Sequence, residues 1–172
     1  MEMNIIVMGV SGCGKSTVGK MLAEVMGIEF LEGDAFHPQD NISRMTAGVP
    51  LTDSDRSPWL RQLSAMVSER QGQQRDFVLA CSALKKSYRQ QLARGAEELI
   101  FVYLKGSRTE IYKRMAERED HFMALSLADS QFEALEEPDQ DENSITVSID
   151  NPVQQIVDQI ARAVEQRHDE LG

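Results

Sequence analysis

Cysteine is nearly missing from this chain: Cys13 and Cys81 are the only two in 172 residues, so no disulfide framework holds the fold together. No apolar run approaches the roughly 20 residues that a bilayer-spanning helix needs. The N-terminus lacks a basic region and a small-residue cleavage site and runs directly into a strand-like segment. These absences lead to the expectation of a cytoplasmic protein with reduced thiols and no membrane contact. Basic residues are also scarce, 18 Lys and Arg against 28 Asp and Glu for a net charge of −10, which speaks against nucleic acid as a partner. Lys and Arg are absent from Glu119 to Ala161, while Asp129, Glu133, Glu136, Glu137, Asp139, Asp141 and Glu142 crowd that stretch; a solvated acidic face is expected there. Three motifs are absent as well. The lack of N-K-x-D or T-K-x-D argues against a guanine-specific switch, and without L-S-G-G-Q a transporter ATPase subunit is excluded. No apolar run ends in a plain Walker-B Asp, which argues against a motor-like ATPase.

What is present is an ordinary globular composition, 41% hydrophobic and 27% charged, with enough residues for one domain and a proper core. Five short apolar segments read as strands: Asn4–Met8, Ile28–Leu31, Phe77–Cys81, Leu99–Leu104 and Ile145–Ile149. They hardly alternate, as expected of strands covered on both faces of a parallel sheet. Helical periodicity separates them, so the fold class is α/β with right-handed crossovers. Two gaps, 32–76 and 105–144, are too long for one crossover helix. Both leave carboxyl ends of strands, where open α/β sheets bind ligands. They are expected to supply a helical substrate-holding insertion over about 35–75 and a lid over about 119–138.

Within the first gap a short helix is predicted over Pro38–Ala47, closed by Gly48, and another starting at Ser57-Pro58 with Leu60, Leu63 and Val67 inward. In the second, Ser107-Arg108-Thr109-Glu110 is a capping-box pattern, and a later helix is expected at about Ser126–Glu137. A last helix is predicted to start with Asn151 as N-cap and Pro152 at its first position, with Val153, Ile156, Val157, Ile160 and Val164 as its buried stripe.

The most specific signal is Gly9-Val10-Ser11-Gly12-Cys13-Gly14-Lys15-Ser16. It satisfies G-x-x-x-x-G-K-[ST] after a strand and before a helix whose apolar residues Val18, Met21, Leu22 and Val25 repeat at helical spacing. The glycines let backbone N–H groups converge, while the helix N-terminus and Lys15 add positive charge. Such a concavity suits a polyphosphate, and Ser16 offers a hydroxyl to the accompanying Mg²⁺.

Several other residues are candidates for chemistry. Asp34 follows the second strand at the ligand edge, placed to accept a hydroxyl proton or to hold Mg²⁺ through water. His37 reads equally as a ligand or as a turn residue before Pro38. Arg56, in Asp53-Ser54-Asp55-Arg56, suits a carboxylate by its forked geometry, or else pairs with its acidic neighbours. Trp59 reads as core. Lys85 and Arg89, four apart at a helix start, would bind an acidic substrate or lie solvated. Arg114 and Arg118, also four apart, would neutralise charge on a transferred phosphoryl group, or be exposed. Cys13, beside Lys15 and a helix N-terminus, is expected to have a lowered pKa and to be sensitive to alkylation unless ATP protects it. Cys81 is expected to be a buried small hydrophobe.

These residues together resemble the gluconokinases of the small bacterial type, kinases related to the shikimate and nucleoside monophosphate kinases. The resemblance runs over almost the whole chain. It rests on Met8–Ser16, Gly33-Asp34 with His37-Pro38, Asn41 with Met45, Gly48, Pro50-Leu51 and Asp53, and Asp55-Arg56 with Pro58-Trp59-Leu60. Cys81–Lys85 with Tyr88-Arg89, and His121-Phe122-Met123 followed by Ser130-Gln131, continue it. It implies a three-layer P-loop kinase fold with a five-stranded parallel sheet ordered 2-3-1-4-5, and commonly a homodimer. It also implies ATP- and Mg²⁺-dependent phosphorylation of D-gluconate on its C6 hydroxyl. On that reading ATP is held by Gly9, Val10, Ser11, Gly12, Cys13, Gly14, Lys15, Ser16, Thr17, Arg114, Arg118, Asn151 and Pro152. Ser16, with Asp34 through water, holds Mg²⁺. Asp34, His37, Arg56, Lys85 and Arg89 hold the acceptor, and Lys15, Asp34 and Arg118 are catalytic. Two alternatives remain at this point: a kinase of another small hydroxy acid such as shikimate, and a non-catalytic ATP-binding regulator.

Overall fold

The computed structural model describes residues 3–117 and 121–171, with the backbone alone in 121–126 and at 171. Five parallel strands form the centre: β1 (Asn4–Met8), β2 (Glu29–Glu32), β3 (Phe77–Ala80), β4 (Leu99–Lys105) and β5 (Ser144–Ser148). Their order is β2-β3-β1-β4-β5, as the resemblance implied. β1 is flanked in register on both sides, with Val7 opposite Ala80 and opposite Val102. The predicted strand positions agree to within about one residue at each end.

The near-continuous apolar strands have their expected cause. Along β1, Ile5 and Val7 enter one core and Ile6 and Met8 the other, because successive side chains point to opposite faces. On the first face lie α1 (Lys15–Met26), α5 (Arg108–Ala116) and α7 (Val153–Leu171), through Val18, Leu22, Ile111, Met115, Ile156, Val157, Ile160 and Val164. On the second lie α3 (Asp53–Gly72) and α4 (Lys86–Ala93), through Trp59, Leu60, Leu63, Val67, Tyr88 and Leu92. The architecture is therefore three layers.

Between β2 and β3 the chain makes a 3₁₀ turn (Gly33–Phe36) and α2 (Gln39–Thr46) before α3. Between β4 and β5 it makes α5 and then α6 (His121–Ala134), which packs on α5. No helix among the described residues is long and apolar enough to cross a membrane.

Four sequence expectations need correction. α3 begins at Asp53, not at Ser57-Pro58, because Thr52 and Asp55 form a reciprocal capping box. Pro58 is inside its second turn, where it removes one donor. α6 runs over His121–Ala134, starting and ending earlier than Ser126–Glu137. α7 begins at Val153, and the Pro152 carbonyl accepts the N–H bonds of Gln155 and Ile156, so Pro152 is the cap and not the first helical residue. Val25, placed on the inner stripe of α1 by its spacing, is 57% exposed; Ala23 is buried instead.

Candidate active site

The nucleotide end of the site is built from one turn of backbone. Residues 9–14 leave β1, fold over on a Cys13 N–H to Val10 carbonyl bond of 3.2 Å, and enter α1. Gly14 caps that helix in the left-handed region at φ 95°, a conformation that a side chain would resist. The cap makes no side-chain hydrogen bond, so the first-turn N–H groups of Lys15, Ser16 and Thr17 face outward as anion ligands. Lys15 folds back to donate to the Val10 carbonyl at 3.2 Å. Ser16 donates its hydroxyl to Glu32 at the end of β2. Hydroxyl and carboxylate oxygens are the hard donors that Mg²⁺ takes, with phosphate oxygens and waters completing its shell. Arg114 on α5 stands beside this loop. It binds Glu110 at 3.1 Å and the Ile149 carbonyl at 2.9 Å, and its Nη1 would be 3.9 Å from a methyl placed on Gly14. Ile149 leads directly into Asn151 and Pro152, which are exposed.

Beside the loop opens a cleft lined by Ser11 and Lys15 from the loop, Asp34 and His37 after β2, Arg56 on α3, and Gln131 on α6. Asp34 is placed by its neighbours. A methyl on Gly33 would lie 2.4 Å from the Ala80 carbonyl oxygen, so the 3₁₀ turn can press against β3 only because residue 33 has no side chain. Trp59 holds that turn from below, its indole N–H donating to the Gly33 carbonyl at 2.8 Å. His37 stacks on Trp59, ring centroids 4.0 Å apart. Its Nδ1 faces the Asn41 amide at 3.2 Å, and its Nε2 lies 3.9 Å from the Asp34 carboxylate. An amide NH₂ can only donate, so Nδ1 accepts and the ring proton sits on Nε2, facing Asp34. Burial pushes the His37 pKa below its ordinary value, with Arg56 adding to the effect and Asp34 opposing it.

Arg56 is held by a chain of partners at the other side of the cleft. It donates to the Tyr88 hydroxyl at 3.0 Å and lies over the Tyr88 ring at 5.5 Å. Tyr88 in turn donates to Asp53, which also accepts from Lys85 at 2.9 Å. The Tyr88 bond first, and the Lys85 bond second, hold the Asp53 carboxyl below its usual range. One face of the guanidinium is thereby fixed and the cleft receives the rest.

A family model described as an AAA domain matches residues 5–138. The chain is 43% identical to the gluconokinase of Gluconobacter oxydans (strain 621H), over 92% of this chain and 89% of that protein. It is 40% identical to the thermosensitive gluconokinase of Escherichia coli (strain K12), over 94% and 87% of the two chains. A crystal structure of a gluconokinase from Sinorhizobium meliloti 1021 superimposes with a TM-score of 0.86 at 42% identity, covering 98% of this chain and 97% of that one. This chain belongs to the gluconokinase family.

In this gluconokinase-family chain the cleft brings together Ser11, Lys15, Asp34, His37 and Arg56. Arg89 is not among them. It is only 2% exposed and spends its donors elsewhere: Nε on Glu142 at 2.6 Å, Nη1 on the Ala83 carbonyl at 2.8 Å, Nη2 on the Glu136 carbonyl at 2.9 Å. The substrate-binding expectation for Arg89 is therefore corrected. The i, i+4 spacing from Lys85 held, but α4 turns Arg89 inward while Lys85, at its N-cap, stays at the surface. Cys13 also needs correction. Burial raises its pKa above the ordinary value, outweighing Lys15 and the loop N–H groups, and its sulfur would lie 2.7 Å from a methyl on Gly9. Cys81 is buried as expected, its pKa pushed up to about 12 chiefly by desolvation. Arg118 lies outside the described residues.

Two residues at the site were given no role by the sequence reading, though Gln131 is among those that carry the resemblance. Glu32 meets Ser16; its spacing from Asp34, with one residue between them, was an available signal. Gln131 accepts the main-chain N–H of Ser11 at 2.5 Å across 120 positions of sequence, a pairing that local pattern does not announce.

Proposed function

We propose that this chain transfers the γ-phosphoryl group of ATP to the C6 hydroxyl of D-gluconate, giving 6-phosphogluconate and ADP. The observation that carries the reading is the cleft where Lys15, Asp34 and Arg56 converge beside the phosphate loop, in a chain about 40% identical to gluconokinases over nearly its whole length. Arg56, fixed by Tyr88, takes the gluconate carboxylate, since its fork matches that group. The opposite end of the sugar acid then reaches Asp34. In the transfer the C6 oxygen forms its bond to the γ-phosphorus as the bond from phosphorus to the β,γ-bridging oxygen breaks. The hydroxyl proton passes to Asp34 and the electron pair leaves on ADP.

The phosphate loop from Gly9 to Thr17 and Lys15 hold the β- and γ-phosphates, with Arg114 adding positive charge beside Gly14. Because the transition state of such transfers is loose, positioning and charge carry the rate. Ser16 and Glu32 would hold Mg²⁺, which would supply charge neutralisation to the phosphates, and Asp34 is then left for the acceptor. His37 turns its ring proton toward Asp34, 3.9 Å away, and so favours the carboxylate there. Lys85 acts on the acceptor at one remove, through Asp53, Tyr88 and Arg56. Residues 35–75 form the acceptor-holding insertion, α6 the lid, and Asn151-Pro152 the rim of the adenine site. A homodimer is the assembly that the resemblance implies.

The test is coupled ADP release with Mg·ATP, comparing D-gluconate with L-idonate, D-galactonate, shikimate and no acceptor. Strong release with gluconate supports the reading. Preference for shikimate supports the hydroxy-acid alternative, and ATP binding with no acceptor-dependent release supports the regulator. In the Asp34→Asn variant kcat should fall by about 10²–10⁴-fold with ATP affinity intact; near-normal turnover would sink the assignment.

A further inference from the structure

We infer that Gln131 is a positioning residue that couples phosphoryl transfer to the presence of the acceptor. The inference rests on the proposed function of the cleft. Its starting point is the 2.5 Å bond from the Ser11 N–H to the Gln131 side-chain oxygen. Ser11 belongs to the loop that binds anions, and Gln131 belongs to α6, which with Leu127 and Ser130 lines the same cleft as Asp34 and Arg56. A main-chain N–H only donates, so the Gln131 oxygen faces it and the side-chain NH₂ is left as a pure donor of fixed direction. Among the described lining residues this amide joins the phosphate loop to the α6 wall.

A neutral amide suits that position. Its oxygen satisfies a phosphate-loop donor without the repulsion that a carboxylate would bring to an incoming γ-phosphate. Its NH₂ donates to a hydroxyl oxygen of the acceptor while Asp34 takes that hydroxyl's proton. An acceptor hydroxyl is then held between a donor and a base, in line with the phosphorus, and water is a poor competitor because it lacks the carboxylate end that Arg56 grips. Proximity of this kind is worth far more than the bond itself. Loss of Gln131 should therefore change the partition between acceptor phosphorylation and plain ATP hydrolysis, not merely the rate.

The test uses two variants of the full chain. Gln131→Met matches the size and removes both hydrogen-bonding functions; Gln131→Glu keeps an oxygen for Ser11 and removes the donor. 6-Phosphogluconate formation and total ADP release are measured side by side, with KM for ATP and Tm. We expect Gln131→Met to lower kcat/KM for gluconate by about tenfold, the scale of one lost hydrogen bond, and to raise the fraction of ADP released without product. Gln131→Glu should show the same loss of coupling with Tm near the wild-type value. If both variants keep wild-type coupling and gluconate kcat/KM, the inference is overturned, and so it is if Tm falls while coupling stays unchanged. No acceptor-dependent release from the wild type itself would overturn the proposed function first, and this inference with it.

Discussion

Replacing Arg89 by Met separates a structural residue from a ligand. The guanidinium sits where three segments meet: the turn after β3, through the Ala83 and Leu84 carbonyls, the strand-bound end of the α6 segment, through the Glu136 carbonyl, and the turn before β5, through Glu142. Burial alone would push the Glu142 carboxyl up, yet the Arg89 bond and the Asp139 N–H together bring it below its ordinary value of 4.5. Removing the cation leaves a carboxylate whose side chain is 13% exposed and takes the Arg89 donor from the Ala83 and Glu136 carbonyls, while the Leu84 carbonyl keeps the Glu136 N–H at 2.8 Å. Breaking one partner of such a pair costs about 3–5 kcal/mol. For a domain of this size each kcal/mol moves Tm by about 2–4 °C, so Arg89→Met should lower Tm by about 6–20 °C.

The pH dependence adds a second readout. A carboxyl depressed on folding stabilises above its ordinary value and loses that contribution as pH falls through the native one. Wild-type stability should therefore drop below about pH 4.5 through Glu142. In Arg89→Met the orphaned carboxyl has no cation to depress it, so that acid-side loss should flatten or reverse. Glu142→Gln should cost less in the Arg89→Met background than in the wild type, by a coupling of about 0.5–3 kcal/mol. The assays are thermal melts from pH 2.5 to 8 and, at a temperature where the variant is folded, steady-state KM for gluconate. An unchanged Tm with a raised gluconate KM would refute the reasoning and return Arg89 to the acceptor site.

Three further outcomes follow from the geometry. Gly33→Ala should cost about 1–3 kcal/mol, because backbone and not a movable side chain opposes the new methyl, and should lower kcat by about 10²-fold by displacing Asp34; a wild-type kcat would show that the 3₁₀ turn does not position the carboxylate. His37 is held neutral by burial, so its contribution is complete above its ordinary pKa of 6.5 and is lost as pH falls below that toward the depressed native value. Urea midpoints should fall between pH 7.5 and 5.5 in the wild type and less so in His37→Phe, which keeps the stack on Trp59; equal slopes would remove His37 as the cause. Iodoacetamide should label Cys13 and Cys81 only after unfolding, with ATP making no difference to the native protein, since both thiols are buried with raised pKa values; fast native labelling of Cys13 would contradict this.

How far the sequence could be read follows the range of each interaction. The strands, α1 and the phosphate loop were legible because hydrophobic period, the glycines and Lys15 all lie within one short window. Asp34 was legible because it stands at a strand end, where topology alone decides that it faces the ligand edge. Arg56 was legible by its chemistry, though not the Tyr88 and Asp53 that aim it. The start of α3 was missed because Pro58 is a stronger local signal than a capping box closed by Asp55 in place of Glu or Gln.

The two failures at the site share one cause. Cys13 and Arg89 were judged by their neighbours in sequence, Lys15 and Lys85, when burial by distant elements decides their behaviour. Met115 and Ile111 on α5 share a core with Cys13, and Glu142, 53 positions away, claims Arg89. A charge or a thiol near the ligand edge has no fixed role until the packing says which side of the helix it is on. The same reasoning explains why Gln131 and Glu32 appear only in three dimensions: each is an ordinary polar residue whose meaning is its partner. Ser11 and Ser16 lie in the phosphate loop, so whatever side chain reaches them lies within reach of the transferred phosphoryl group. A change at Gln131 or Glu32 should therefore register in turnover before it registers in folding.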